Sequence, residues 1–211
     1  VENIIWLTHN EQDWARDVLQ HIHRKQRAAL LRFKNADAES GANELTQGDF
    51  SFTFIPQLPI AEITTNSAWL YLAIAKYFVL EKYSVYDLIS EIPAEGAENR
   101  RTVRIVESFL KQIQISVEDD TAFELAVENL AHYLGYETRK SHIKKLLSTI
   151  TDHRYHSAFN PDYFQNIAIT FHSSKGLEFD QVILFAEDYN LYDMSSIYNH
   201  YVAVTRAKSK V

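Results

Sequence analysis

Three features of the sequence predict an α/β domain built on a parallel sheet and interrupted by a helical insertion. The first is an apolar run, Asn3 to Thr8, followed promptly by a helical pattern, the repeating unit of α/β sheets. The second is a long middle stretch whose apolar residues recur at helical spacing. The third lies near the end, where two apolar runs flank a polar, glycine-bearing loop within Thr170 to Asp180. Composition supports a packed core. Of 211 residues, 46% are apolar and 13% aromatic, with only 5 Gly and 4 Pro, too few for a disordered chain.

Taken in order, Asn3-Ile4-Ile5-Trp6-Leu7-Thr8 reads as a buried strand ending at Asn10. Asn10 and Asp13 are spaced to satisfy the orphan amides of a helix start. Trp14, Val18, Leu19 and Ile22 then recur at helical spacing, which predicts a helix to about Leu31. Residues 35–49 are small and polar with Gly41 and Gly48, the composition of a surface loop. Phe50 to Ile55 alternates as a strand does, and Pro56 and Pro59 end it. Thr65-Asn66-Ser67 should cap an apolar helix through Leu80, and a second helical pattern from Ser84 ends before Pro93. Residues 94–99 read as a linker. From Arg100 to about Ile150, Val103, Val106, Leu110 and Ile113, then Phe123, Val127, Leu130 and Leu134, keep helical spacing. Residues 153–161 read as a loop, and Ile167 to Phe171 resumes the sheet. The expected organisation is therefore a first sheet segment over 1–92, a helical insertion over 93–165 and a second sheet segment over 166–211.

Several function classes are disfavoured. Net charge is −7, which argues against gripping a phosphate backbone by bulk charge, although one strand needs only a few well-placed donors. With no cysteine, disulfides and thiolate metal sites are absent, and a reducing cytoplasmic location is expected. No apolar run reaches the roughly 18 residues of a membrane span, so no membrane partner is expected. Glu2 and Asn3 stand where a signal peptide carries positive charge. His21 and His23, two apart, do not share a helix face, and Asp152, His153 and His156 lack a further ligand, so no metal site is expected. Ser173 or Ser174 beside His172 is no nucleophile–base pair, because adjacent side chains rarely align and no G-x-S-x-G elbow is present.

The most informative strings are Thr170-Phe171-His172-Ser173-Ser174-Lys175-Gly176-Leu177-Glu178-Phe179-Asp180 and Tyr201-Val202-Ala203-Val204-Thr205-Arg206-Ala207-Lys208. Read by themselves, they are a polar glycine bend between buried strands, then a helix that delivers an arginine. Thr170 and His172 fall at the C-terminal end of a strand, the edge where open α/β sheets bind ligands. Their hydroxyl and imidazole N–H suit phosphate contacts that position without reading sequence. Gly176 fits a bend needing positive φ or close ligand approach. Ser195 or Ser196 should cap the last helix, whose Tyr198, Tyr201, Val202 and Val204 would anchor it and leave Arg206 and Lys208 pointing out.

T-x-H-x-x-K-G-L-E-F and Y-V-A-x-T-R-A-K resemble motifs V and VI of the UvrD/Rep/PcrA family of superfamily-one DNA helicases. The resemblance implies a RecA-like domain of P-loop NTPase type, the second motor domain of such an enzyme. It implies that Arg206 is an arginine finger reaching the γ-phosphate across a cleft and that Glu178 contacts the nucleotide ribose. Lys175 and Gly176 would lie at the nucleotide, and Thr170, His172 and Ser173 would contact single-stranded DNA. Ile4 to Asn10 resembles motif IV, but Thr8 or His9 stands where the family holds an arginine, so sensing of the nucleotide through His9 would be weak and pH-dependent.

A Walker A loop, G-x-x-x-x-G-K-[ST], occurs nowhere in the chain, so ATP with Mg²⁺ would be bound mainly by a separate N-terminal RecA-like domain. This piece alone is expected to be inactive as an ATPase. In related chains another strand follows motif VI, whereas only Ser209, Lys210 and Val211 come after it here, which implies a fragment of a longer protein. The resemblance implies an ATP-dependent DNA helicase or translocase serving DNA repair or a similar pathway. The alternative is a degenerate scaffold or regulatory subunit in a nuclease-containing repair or antiphage complex.

Overall fold

The computed structural model describes residues 4–8, 13–47, 50–93, 100–190 and 192–211. Two compact units emerge from its packing: Val1–Gln57 with Asn160–Val211, and Leu58–Phe159. The first holds a parallel sheet and the second is helical.

The sheet unit runs α1 (Trp14–His21), β1 (Ala28–Arg32), α2 (Asn35–Leu45), β2 (Thr53–Ile55), β3 (Asn166–Thr170) and β4 (Phe179–Leu184). α8 (Met194–Val204) and β5 (Ala207–Lys210) close it, the numbers α3 to α7 belonging to the helical unit. The five strands are all parallel, in the order β2-β3-β1-β4-β5. β1 is central. Its Ala28, Ala29, Leu30 and Leu31 are fully buried, as a parallel strand covered on both faces must be. The helix expected to reach Leu31 therefore ends ten residues early, at His21. Ala and Leu are strong helix formers, but burial between β3 and β4 overrides that preference.

The loop expected over 35–49 is largely α2. Its Ala38, Gly41, Ala42 and Leu45 form a buried stripe at i, i+3, i+4 and i+7. Gly41 permits close approach to the sheet, since a Cβ there would lie 2.4 Å from Cδ2 of Leu30. Residues 4–8 form no strand. They lie beside the end of β5, tied by one backbone bond from Ile5 N–H to Val211 O (2.9 Å). A strand does form at the second motif, because β5 begins at its last two residues, Ala207 and Lys208, and runs on to Lys210.

The last helix is capped by Asp193, which accepts from Ser196 N–H (3.1 Å), and not by Ser195 or Ser196. Within α8 only Ala203 is buried, and Met194, Tyr198 and Tyr201 are exposed, so the tyrosines expected to anchor this helix do not. Arg206 lies past its end, in the turn before β5.

The helical unit holds α3 (Ala68–Val79), α4 (Val85–Ser90), α5 (Arg100–Ile115), α6 (Asp120–Tyr133) and α7 (Lys140–Thr151). It starts at Leu58, where the sequence pattern placed the insertion at 93, because α3 and α4 share its core. Leu70 and Ile74 of α3 pack with Val106, Leu110 and Ile113 of α5, Phe123 and Val127 of α6, and Leu146 of α7. Each such side chain contributes about 1.5–3 kcal/mol on burial. Ser84 and Asp87 form a reciprocal capping box on α4, and Asp119 caps α6 by accepting from the amides of Thr121 and Ala122. Thr65 and Ser67 meet through their hydroxyls (3.1 Å) ahead of α3. The segment His153–Phe159, expected as loop, is a 3-10 turn. No helix among the described residues is long and apolar enough to cross a membrane.

Candidate functional site

The register of the parallel sheet fixes where the two motif strings lie. Thr170 is level with Arg32, at the C-terminal end of β1. Gln181 is level with Ala28, at the start of β1, so Phe179 lies at the opposite edge. Residues 171–178 must therefore carry the chain from the C-terminal edge of the sheet back to its N-terminal edge. They do so as a chain of turns. Phe171 N–H donates to Arg32 O, Ser174 N–H to Thr170 O, and Leu177 N–H to Ser174 O. Gly176 takes φ +86°, a left-handed conformation that side chains with a Cβ rarely adopt.

At the C-terminal edge, Thr170 is buried and its hydroxyl is committed. It donates to Ser173 Oγ (3.0 Å) and accepts from Ser173 N–H (3.3 Å), so it fastens the first turn. Ser174 is fully buried and donates to Phe171 O (2.7 Å). His172 is exposed and its ring lies near those of Phe171 and Phe33. Partial burial, and then the Lys175 charge, hold its pKa below the ordinary histidine value. It is therefore a neutral donor at physiological pH, not an imidazolium.

At the N-terminal edge the two strings meet. Phe179 N–H donates to Arg206 O (2.9 Å), which begins the pairing of β4 with β5. The Arg206 guanidinium lies over the glycine bend, donating from Nε to Val202 O (3.2 Å) and from Nη1 to Leu177 O (3.4 Å). Lys208 pairs with Glu178 at 3.2 Å, both side chains more than half exposed. Such a surface pair contributes only about 0–1 kcal/mol and yields easily to a ligand. Lys175 and Gly176 are also exposed.

Sequence reasoning missed two arginines. Arg27, just before β1, donates to Glu178 O (3.4 Å) and Pro161 O (3.2 Å), pairs with Asp162 (2.7 Å) and lies over the Phe179 ring. The Leu177–Glu178 backbone is thus held between two guanidiniums. Arg32, at the other edge, makes a buried bidentate pair with Asp188 (2.7 and 3.2 Å) and covers Phe185 at 3.8 Å. Neither carries a local motif, and the helical pattern expected to reach about Leu31 covered Arg27 and ended beside Arg32.

The site residues thus fall into two sets. Thr170, His172 and Ser173 gather at one edge, and Gly176, Glu178 and Arg206 at the other, with Lys175 between them. His9 lies outside the described residues. A cavity of about 340 Å³ elsewhere in the sheet unit is lined by Trp6, Trp14, Ile183, Phe185, Tyr189 and His200, and among the described residues none of the expected site residues lines it. Among the described residues no three His, Asp or Glu side chains gather as a metal site.

Comparison with known proteins matches this same region. A family model, UvrD-like helicase C-terminal domain, matches residues 167–211. The chain is also similar to the Gabija protein GajB of Bacillus cereus (strain VD045), at 32% identity over 182 residues. That alignment covers 86% of this chain and 36% of that protein, so the chain spans about a third of its relative's length. Strands β3, β4 and β5, the glycine bend between β3 and β4 and the arginine ahead of β5 fall inside the stretch matched by that family model or directly beside it. Through residues 167–211, the chain is similar to the UvrD-like helicase C-terminal domain family.

Proposed function

We propose that this chain is the C-terminal motor half of an ATP-dependent DNA helicase or translocase. The observation that carries the reading is the placement of Arg206 on the glycine bend beside Glu178, at one edge of a sheet whose other edge presents His172 and Ser173. Arg206 spends one donor on Val202 O and one on Leu177 O, and its Nη2 donors have no partner among the described residues. A fixed, forked cation of this kind suits charge spread over phosphoryl oxygens. The half-exposed Glu178 is suited to accept from a ribose hydroxyl once Lys208 gives way. Lys175 and Gly176 leave the bend open to an anion, since nothing lies within 4 Å of a Cβ built at Gly176.

ATP with Mg²⁺ supplies the cleavable phosphoanhydride, held mainly by an N-terminal RecA-like domain that carries the Walker A loop. Arg206 completes that pocket from this side and stabilises charge on the phosphoryl oxygens. His172 and Ser173 position single-stranded DNA through its phosphates, with Thr170 holding their turn. In the intact protein, Arg206→Ala should lower ATP turnover by about 10³–10⁵ while nucleotide binding survives. Near-normal turnover would remove the finger assignment.

A second reading is favoured by motif IV, where Thr8 or His9 replaces arginine. It makes this domain a regulatory scaffold for a nuclease partner. DNA-stimulated ATP hydrolysis by the intact protein separates the two: its presence supports the motor and its absence supports the scaffold.

A further inference from the structure

We infer that His153 and His156 form a surface site for a borderline transition-metal ion such as Zn²⁺ or Ni²⁺, bound through the Nδ1 atoms of both rings. The site lies in the helical unit, which holds none of the residues assigned to nucleotide or DNA, and does not depend on the function proposed above.

Local geometry brings the pair together. His153–Phe159 is a 3-10 turn, and with three residues per turn the side chains at i and i+3 eclipse. The rings stand crossed at 73°, with centroids 4.7 Å apart and their Nδ1 atoms separated by 3.4 Å. For an N–H···N hydrogen bond that distance is long. For a shared metal it fits, because Zn–N bonds of about 2.0–2.1 Å at a tetrahedral angle place adjacent ligand nitrogens about 3.3–3.4 Å apart.

The tautomer of His156 is already set for ligation. Its Nε2 lies 3.0 Å from Ile150 O, a carbonyl that can only accept, so Nε2 carries the proton and Nδ1 presents its lone pair. A ligand histidine whose other nitrogen donates to a backbone carbonyl is the usual outer-shell arrangement, fixing the ring and raising its basicity. His153 is exposed, and its proton can move from Nδ1 to Nε2, in water, when the metal binds. Asp152 is no third ligand, because Arg154 holds its carboxylate at 2.7–3.1 Å. Water completes the coordination, and imidazole pairs of this kind select Zn²⁺, Ni²⁺ or Cu²⁺ over Mg²⁺ or Ca²⁺. Bound metal would staple the turn to the end of α7 through the His156–Ile150 link, just before the chain leaves the helical unit.

The test is calorimetric titration of the tag-free chain with ZnCl₂ and NiCl₂ near neutral pH. Expected is saturable binding that weakens at least about tenfold in His153→Ala and in His156→Ala, since losing a ligand costs no less than the 10–100-fold of losing an outer-shell partner. His132→Ala, an exposed histidine on α6, should bind as the parent does, and circular dichroism should match across the variants. Absence of saturable binding would overturn the assignment, and so would unchanged affinity in either His153→Ala or His156→Ala.

Discussion

Removing the Asp188 carboxylate should destabilise the sheet unit more than any other single surface-proximal change. Asp188 accepts from Arg32 Nε (2.7 Å), Arg32 Nη2 (3.2 Å) and the Phe33 amide (3.1 Å), and the paired side chains are only 11% and 8% exposed. In Asp188→Ala the guanidinium stays buried against Phe185 without its counter-ion, and the Phe33 amide loses its acceptor. Breaking a buried pair on one side costs about 3–5 kcal/mol, because the surviving charge is left desolvated. Glu187, 3.3 Å from Nη2 but 68% exposed, covers only part of the loss, so the lower end, about 3 kcal/mol, is expected. Against a total of about 5–15 kcal/mol, that is a large fraction. Urea unfolding gives the total, and amide hydrogen exchange along β1 and β3 reads the sheet unit by itself. The double variant Arg32→Met with Asp188→Leu should recover most of the loss, since replacing both partners by apolar groups is often near neutral. A single variant within about 1 kcal/mol of the parent, or a double variant as unstable as the single, would refute the reasoning.

Further outcomes test other parts of the molecule. Gly41→Val should cost toward the upper end of about 1–3 kcal/mol by forcing Leu30 off its rotamer, read by thermal unfolding. Gly176→Ala meets no neighbour within 4 Å, so its cost should be backbone strain alone, about 1–2 kcal/mol, and insensitive to side-chain size from Ala to Ser. The depressed pKa of His172 sets a sign. Its contribution to stability is fully present above the unfolded value of about 6.5 and is lost as pH falls below that. An NMR titration of its ring should give a midpoint below that of an unfolded peptide, and Lys175→Ala should raise it; a midpoint above the peptide's would contradict the assignment.

What could be read from residues alone follows from how local the determinants are. The bend between β3 and β4 was legible because apolar strands, polar turn residues and a left-handed glycine sit within one short string. The helices of the insertion were legible through their stripes, as with Val103, Val106, Leu110 and Ile113 of α5. β1 was not, because Ala-Ala-Leu-Leu fits a buried strand and a helix equally well, and its partners lie over 130 residues away. α2 was hidden by its glycine and small polar residues, although the spacing of Ala38, Ala42 and Leu45 held the signal. For the candidate site, each motif string was visible but the separation of the site residues onto two edges was not, since that needs the sheet register. Arg27 and Arg32 could not be found at all. Their partners, Asp162 and Asp188, are distant in sequence and carry no pattern.

The brevity of the segment joining β3 to β4 has a mechanical consequence. A long, slack connection would let the two margins of the strand layer move independently. Here successive backbone bonds leave little compliance between Phe171 and Leu177, and Arg32, Arg27 and Arg206 pin the strut near both ends. A push of an ångström on the bend at Gly176 therefore has few places to dissipate before it reaches the ring of His172.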